Sequence, residues 1–289
     1  MKLTNTYFMK GKRVLVTGGT SGIGKSTTLE FLKQGAEVLF VARNKYLINK
    51  QLTEYWKLGY NAYGVSADLS KKSGINKLFK FVSKHWTSID VLVNNVGFNI
   101  RKGTTDYTSD EFNTIINTNL LSAFNITVKA YTYLVKSGKA SVINVSSVAG
   151  LTAIKTGSPY AITKAGLIQF TKNLAVEWAS KNIRVNAVAP WYIKTPLTEK
   201  LLSDETFLKS VIERTPMKRY GTPEEVANVI LFLANDSSSF FFSSDCSISG
   251  DLNFSISANL NLSISANLNL STSANLNLST SANLFFLIP

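Results

Sequence analysis

The sequence predicts an α/β fold: a doubly wound parallel sheet in a single domain, followed by an atypical low-complexity C-terminal repeat tail. Two observations carry this prediction. From residue 12 to residue 234, short β-branched or apolar runs alternate with longer amphipathic stretches, and after residue 240 the composition changes abruptly. Alternation at this spacing is typical of a parallel sheet with helices on both faces. We therefore assign the domain to residues 8–240 and the tail to residues 241–289.

Six strands and seven helices account for the alternating region. The strands are predicted at 13–17, 37–41, 61–66, 91–94, 141–145 and 184–188. The helices are predicted at 23–34, 44–58, 73–86, 109–136, 158–180, 198–213 and 223–234. A turn at 248–250, followed by alternating apolar residues, also allows a seventh strand at 251–257.

The overall composition limits the class of function. The chain has 289 residues, a formal net charge of +13, one histidine and one cysteine. Its lysines are scattered and form no basic arm or reading helix, so we interpret the charge as a solvated surface and do not expect nucleic-acid binding. No apolar run is long enough to cross a membrane, and the N-terminus lacks the apolar stretch of a secretory signal. We expect a cytoplasmic protein without a metal site.

A glycine-rich turn joins the first predicted strand to the first predicted helix. It reads TGGTSGIG at 17–24, with glycines at Gly18, Gly22 and Gly24. Such glycines allow a tight turn and a close approach of the backbone to a ligand, and a helix N-terminus attracts an anion. The turn therefore predicts a Rossmann-type site for the pyrophosphate of a dinucleotide. The other residues assigned to this site are Thr20, Ser21 and Ile23.

The ends of the second and third strands predict which dinucleotide binds. The second strand is followed by Arg43, whereas NAD-binding folds usually carry a carboxylate there. An arginine fork suits a 2′-phosphate, so we predict NADP(H). Asp68 and Leu69 follow the third strand, where Asp68 could contact the adenine or could cap the helix that starts near Ser70.

Two residues four apart, Tyr160 and Lys164, are candidates for acid–base chemistry. This spacing places them on one face of a helix. An ordinary tyrosine is a poor acid–base group at neutral pH, and a nearby lysine cation is expected to lower its pKa. Ser147 follows the fifth strand, and its hydroxyl could bind a carbonyl oxygen on which charge develops.

Several ordered motifs together resemble the short-chain dehydrogenases/reductases. They are TGGTSGIG, NNVG at 94–97, Asn119, Ser147, YAITK at 160–164 and APWYIKTPL at 189–197. The segments NNVGFNIRK, APWYIKTPL and RTPMKRYGTPEEVA are most similar to plant tropinone reductases and their homologues. The resemblance covers about residues 8–240.

This resemblance implies a function and a set of roles. It implies NADPH-dependent reduction of a small ketone to a secondary alcohol by a homodimer or homotetramer, paired through the helices at 109–136 and 158–180. The implied catalytic tetrad is Asn119, Ser147, Tyr160 and Lys164, with Tyr160 as the acid–base residue and Asn119 placing a water in the proton relay. Lys164 would also hold the nicotinamide ribose. The further implied cofactor contacts are Asn95, Gly97, Pro190, Ile193 and Thr195.

The sequence also departs from the family pattern. Val96 stands at the usual alanine, Trp191 stands at the usual glycine after Pro190, and the Asp-Gly-Gly that normally follows the last strand is missing. Octapeptides such as SISANLNL at 255–262 recur to residue 286, uncharged and with the strand period of two, which favours aggregation. Two alternatives to a working enzyme therefore stay open. One is a nucleotide-binding pseudoenzyme that has lost its seventh strand, and the other is an assembly protein driven by the tail.

Overall fold

A parallel sheet of seven strands forms the centre of the described part of the protein. The strands are β1 (Arg13–Thr17), β2 (Glu37–Ala42), β3 (Ala62–Ser66), β4 (Val91–Asn94), β5 (Ala140–Val145), β6 (Ile183–Pro190) and β7 (Asp245–Ile248). Every neighbouring pair is parallel, and the order across the sheet is β3-β2-β1-β4-β5-β6-β7. The order of the first six strands reverses beside β1, as in a doubly wound nucleotide-binding sheet. The predicted α/β fold is confirmed.

The structure is a computed structural model that describes residues 9–241 and the strand at 245–248. The octapeptide repeats and the segment 251–257, which was predicted as the seventh strand, lie outside the described residues.

Nine helices appear in the described part of the chain. They are α1 (Gly22–Lys33), α2 (Lys45–Lys57), α3 (Lys72–His85), α4 (Ser109–Ile116), α5 (Ser122–Ser137), α6 (Ser158–Trp178), α7 (Glu199–Leu202), α8 (Glu205–Glu213) and α9 (Pro223–Ala234). A π-helical turn at Asn117–Leu121 joins α4 to α5, so the helix predicted at 109–136 is nearly continuous.

The helices cover both faces of the sheet because side chains alternate along each strand. In β1, Val14 and Val16 belong to the core cluster that includes residues of α1, α2 and α9. Leu15, between them, belongs to the opposite cluster with residues of α3, α5 and α6. Both clusters are dominated by branched aliphatic side chains, as expected for strands that are buried on both faces.

Two predicted elements differ from the structure. The helix predicted at 198–213 is two helices, because Asp204 is extended and its Oδ1 accepts a hydrogen bond of 2.8 Å from the Phe207 N–H, which starts α8 afresh. The seventh strand precedes the predicted segment, since Asp245–Ile248 pairs with Ala187–Pro190 of β6. The register with β6 thus locates a strand ahead of the segment predicted at 251–257, which itself lies outside the described residues.

Candidate active site

A cleft of about 360 Å³ opens at the carboxyl ends of the strands, the edge where doubly wound sheets bind their ligands. It brings together most of the residues predicted from separate motifs. The predicted residues that line it are Gly18, Thr20, Ser21, Gly22, Ile23, Arg43, Asp68, Leu69, Asn95, Gly97, Ser147, Tyr160, Lys164, Pro190, Ile193 and Thr195. Gly24 and Asn119 are the predicted site residues that do not line it.

The glycine turn has a backbone that other residues would not tolerate. Gly18 and Gly22 have φ values of +70° and +49°. A Cβ atom on Gly24 would lie 2.2 Å from the Gly18 carbonyl oxygen. Any larger residue at this position would therefore push the turn out of place. Ser21 precedes α1 and makes no side-chain capping bond, which leaves the N–H groups of the first helical turn available to an anion.

Asn95 fastens the end of β4 to this turn. Its backbone N–H donates to the Thr17 hydroxyl at 2.9 Å. Its side-chain Nδ2 donates to the Thr17 carbonyl at 3.0 Å and to the Gly18 carbonyl at 3.3 Å. The predicted role of Asn95 in shaping the cleft therefore has a structural basis in three hydrogen bonds.

Arg43 and Asp68 lie at the end of the cleft beside β2 and β3. Arg43 is exposed, and no described carboxylate forms an ion pair with it. Asp68 Oδ1 accepts hydrogen bonds from the Ser70 hydroxyl at 2.7 Å and from the Ser70 N–H at 3.1 Å. The Ser70 hydroxyl, with weaker help from Lys71 and Arg43, lowers the pKa of Asp68. Because α3 starts only at Lys72, Asp68 stabilises the preceding turn, and its contact with adenine stays a prediction.

Helix α6 carries Tyr160 and Lys164 into the cleft beside Ser147. The helix starts at Ser158 with Pro159 in its first turn, and β5 is tied to it by the Ser146 hydroxyl, which donates to the Lys164 carbonyl at 2.8 Å. Ser147 and Tyr160 both line the cleft, and the Ser147 hydroxyl accepts a hydrogen bond of 3.2 Å from the Ala149 N–H. Burial raises the pKa of Tyr160 above its ordinary value of 10.0, while the Ser147 hydrogen bond and the Arg101 charge oppose this rise.

Lys164 is only 2% exposed. Its Nζ donates to the Val145 carbonyl at 2.8 Å and lies 5.5 Å from the centre of the Tyr160 ring. Burial lowers the pKa of Lys164 to about 8. The sequence led us to expect that Lys164 lowers the pKa of Tyr160, but the groups with that effect in the structure are Ser147 and Arg101.

Asn119 is fully buried in the π-helical turn between α4 and α5. Its side chain binds both backbone groups of Phe98, with Oδ1 accepting from the N–H and Nδ2 donating to the carbonyl, each at 2.8 Å. Nδ2 also donates to the Thr163 hydroxyl at 3.2 Å. Asn119 thus fastens the loop after β4 to α6, and its part in a proton relay stays a prediction.

The sequence drew attention to Trp191 but missed Arg101. Trp191 lines the cleft, donates from its indole N–H to the Thr215 hydroxyl at 3.1 Å, and packs edge-on against Tyr192. Arg101 affects Tyr160 from a loop, and only its place in the NNVGFNIRK segment could have indicated it. Val96, between the predicted Asn95 and Gly97, also lines the cleft. The other lining residues that the sequence did not single out for the site are Ala42, Asn44, Ala67, Ser70, Phe98, Thr118, Val145, Ser146, Pro196, Leu197 and Thr198.

Known proteins resemble this chain in sequence and in fold. A family model described as "Enoyl-(Acyl carrier protein) reductase" matches residues 18–250. A tropinone reductase homolog of Arabidopsis thaliana is 42% identical over 251 residues, which cover 86% of this chain and 95% of the relative. The chain belongs to the short-chain dehydrogenase/reductase family. It is an oxidoreductase that acts on small carbonyl substrates.

Other members of the short-chain dehydrogenase/reductase family extend the comparison. The 3-oxoacyl-(acyl-carrier-protein) reductase of Thermotoga maritima is 39% identical over 244 residues, 84% of this chain and 98% of that protein. The structure of a gluconate 5-dehydrogenase from Burkholderia cenocepacia, in complex with NADP and tartrate, superposes with a TM-score of 0.80 at 27% identity. That match covers 84% of this chain and 96% of the other.

The described part of this short-chain dehydrogenase/reductase lacks two features, a metal-binding cluster of side chains and a helix able to span a membrane. Within it, no three or more His, Cys, Asp or Glu side chains are grouped so that they could hold a metal ion. None of its helices is both long enough and apolar enough to cross a membrane.

Proposed function

We propose that this enzyme reduces a small ketone to a secondary alcohol with NADPH, in the manner of the tropinone reductases. The observation that carries the proposal is the meeting of Ser147, Tyr160 and Lys164 in the cleft that also contains the glycine turn. Tyr160 supplies a hydroxyl that can donate a proton, Ser147 supplies a second hydroxyl that can hydrogen bond the substrate, and Lys164 supplies a buried amine. Beside a turn that can hold a dinucleotide, these groups suit the reduction of a carbonyl.

The cleft fits NADP(H) on three counts. The glycine turn has no room for a Cβ atom on Gly24, the start of α1 leaves its N–H groups available to a pyrophosphate, and Arg43 is an exposed cation suited to a 2′-phosphate. We assign Ile193 and Thr195 to the nicotinamide amide, and Asp68 and Leu69 to the adenosine end. A bound NADPH would supply the hydride. The NADP in the gluconate 5-dehydrogenase supports this choice of cofactor.

Side chains of the protein donate the proton and stabilise the negative charge that develops on the substrate oxygen. The Ser147 hydroxyl donates a hydrogen bond to the substrate carbonyl oxygen, and the Tyr160 hydroxyl donates its proton to that oxygen as it becomes an alkoxide. Because burial raises the pKa of Tyr160, the residue carries this proton at neutral pH. Lys164 holds the nicotinamide ribose, and Asn119 places a water through which Tyr160 regains its proton.

Assembly into a dimer is part of the proposal. Leu121, Phe124 and Val128 share one face near and within α5, and Ile162 lies on α6. These four side chains are between 42% and 52% exposed. An apolar face of this kind favours pairing of α4–α5 and α6 with a second copy. Light scattering at micromolar concentration should show a dimer or tetramer, and a monomer would contradict this assignment.

The sequence predicts a catalytic domain at residues 8–240, and we extend it through β7 because that strand pairs with β6 in the same sheet. We propose that this domain works in the cytoplasm. A fluorescent fusion of the full chain tests the location, and accumulation in an organelle would contradict it.

The test of the reaction itself is NADPH oxidation by the purified chain with a panel of small cyclic ketones. We expect loss of NADPH absorbance to match formation of the secondary alcohol, with NADH at the same concentration used much more slowly. Equal use of the two cofactors would contradict the role of Arg43. No oxidation with any ketone would favour a pseudoenzyme.

A further inference from the structure

Arg101, on the loop after β4, is a cation that lacks a counter-charge among the described residues. Its Nε atom is buried without a hydrogen-bond partner. No carboxylate among the described residues forms an ion pair with it. The loop lies beside the segment that leads into α6, because a Cβ atom on Gly157 would lie 3.3 Å from the Ile100 carbonyl oxygen. Burial raises the pKa of Tyr160 and of Tyr192, and the positive charge of Arg101 opposes both rises.

The backbone on either side of Arg101 is held in place. The Tyr107 hydroxyl donates to the Ile100 carbonyl and accepts a 3.3 Å hydrogen bond from the Lys102 N–H. On the N-terminal side, Asn99 Nδ2 donates to the Thr156 carbonyl and hydroxyl at 3.0 Å and 2.9 Å. A side chain presented from a backbone fixed in this way loses little further freedom when it binds a ligand.

Lys102, the next residue on the same loop, is a cation that does have a carboxylate partner. Lys102 Nζ lies 2.6 Å from a carboxylate oxygen of Glu111, so its charge is neutralised within the protein. Arg101 has no such partner in the described chain, although a buried unpaired donor is costly and native structures usually satisfy one. The missing partner is therefore expected to come from a ligand.

Trp191 adds an aromatic surface to the cleft, and a second cation packs against its ring. The Arg214 guanidinium lies 5.2 Å from the centre of the Trp191 ring. Burial raises the pKa of Tyr192, and the charges of Arg101 and Arg214 oppose this rise. An apolar ring flanked by positive charge suits a compact organic anion better than a neutral or cationic molecule.

We propose that Arg101 binds a carboxylate of the substrate, so that this enzyme acts on keto acids whose ketone carbonyl meets Ser147 and Tyr160. The fork of N–H donors in a guanidinium matches the two oxygens of a carboxylate, which a lysine cannot reproduce. This assignment rests on the proposed ketone reduction, because it places the reacting carbonyl at Tyr160.

A pair of probes that differ in charge tests the assignment without turnover. Calorimetry would measure the binding of cyclohexanecarboxylate and of cyclohexanecarboxamide to the full chain, with and without saturating NADP⁺. We expect the carboxylate to bind about tenfold to hundredfold more tightly, as for a charge-assisted contact. Arg101→Gln should abolish the preference, whereas Lys102→Gln, which removes a neutralised cation one residue away, should retain it.

Equal binding of the two probes, binding of neither, or a preference that survives in Arg101→Gln would overturn the proposal. Should Arg101→Gln fail to fold, as judged by circular dichroism, Arg101→Lys keeps the charge without the fork and must weaken the preference. An unchanged preference in Arg101→Lys would also overturn it. Ketone turnover is measured separately, so loss of all NADPH oxidation would refute the reduction while leaving the charge preference intact.

Discussion

The Nζ atom of Lys164 lies 5.5 Å from the centre of the Tyr160 ring, on the same face of α6. Burial raises the pKa of the tyrosine, and burial lowers the pKa of the lysine to about 8. At neutral pH the tyrosine therefore carries the proton that a carbonyl reduction consumes. The lysine lies close to its own titration point, where small changes in pH alter its charge.

The buried Lys164 should make stability depend on pH in a defined window. Its pKa falls from 10.5 to about 8 on folding, so between these values the unfolded chain binds more protons than the folded one. The penalty for burying the cation is complete below pH 8 and is relieved as the pH rises. The free energy of unfolding should therefore rise by about 1 kcal/mol per pH unit above pH 8.

Urea unfolding at several pH values between 8 and 10 checks this dependence on Lys164. The wild-type chain should gain stability relative to Lys164→Met as the pH rises through this range. Lys50→Met, which removes an exposed lysine of α2, serves as the control and should follow the wild type. Parallel pH curves for the wild type and Lys164→Met would contradict the titration of the buried amine.

Arg43 should determine the choice between the two nicotinamide cofactors. Arg43→Ala removes the cation proposed to meet the 2′-phosphate and should raise the KM for NADPH about tenfold to hundredfold. The KM for NADH should hardly change, because NADH lacks that phosphate. Lys33→Ala, at an exposed lysine paired with Glu30, is a control that should leave both KM values unchanged. An equal effect of Arg43→Ala on both cofactors would refute the role.

Two truncations distinguish the observed seventh strand from the one predicted at 251–257. A chain that ends at residue 250 keeps β7, whereas a chain that ends at residue 241 exposes the edge of β6. We expect the longer form to unfold at a clearly higher urea concentration than the shorter form and close to that of the full chain. If both truncated chains are equally destabilised, β7 does not support the sheet.

The strands were the part of the fold most readily predicted from the sequence. The strand 91–94 was predicted with the bounds that the structure has, because a run of apolar residues buried on both faces leaves little choice of register. The break before Asp204 was missed, since apolar periodicity continues through it and only the capping contact with Phe207 interrupts the helix.

Within the site, the sequence found residues that lie in local motifs and missed those brought near only by folding. Tyr160 and Lys164 share one helical turn, so their spacing was informative. The charge of Arg101 acts on the pKa of Tyr160 from a loop far away in sequence, and no local pattern indicates that its buried Nε atom has no hydrogen-bond partner among the described residues. The bonds of Asn119 to Phe98 likewise depend on the tertiary fold.

The start of α9 should contribute measurably to stability. The Thr222 hydroxyl accepts from the Glu225 N–H, while the Glu225 carboxylate accepts from the Thr222 N–H at 2.8 Å. Thr222→Ala breaks this reciprocal cap and should lower the free energy of unfolding by about 1 kcal/mol. Thr53→Ala, at an exposed position within α2, is the matched control and should have little effect. An equal loss in the two variants would mean that the cap contributes nothing.

Transfer of a labelled hydride tests the central claim most directly. The full chain is given NADPH with deuterium at the transferable position together with a ketone that it reduces, and the alcohol is analysed by mass spectrometry. We predict one deuterium on the carbinol carbon for the wild type. Tyr160→Phe should form this product about 10²–10⁴ times more slowly while binding NADPH as tightly as the wild type. Labelled alcohol formed by Tyr160→Phe at the wild-type rate would contradict the assignment of Tyr160 as the proton donor.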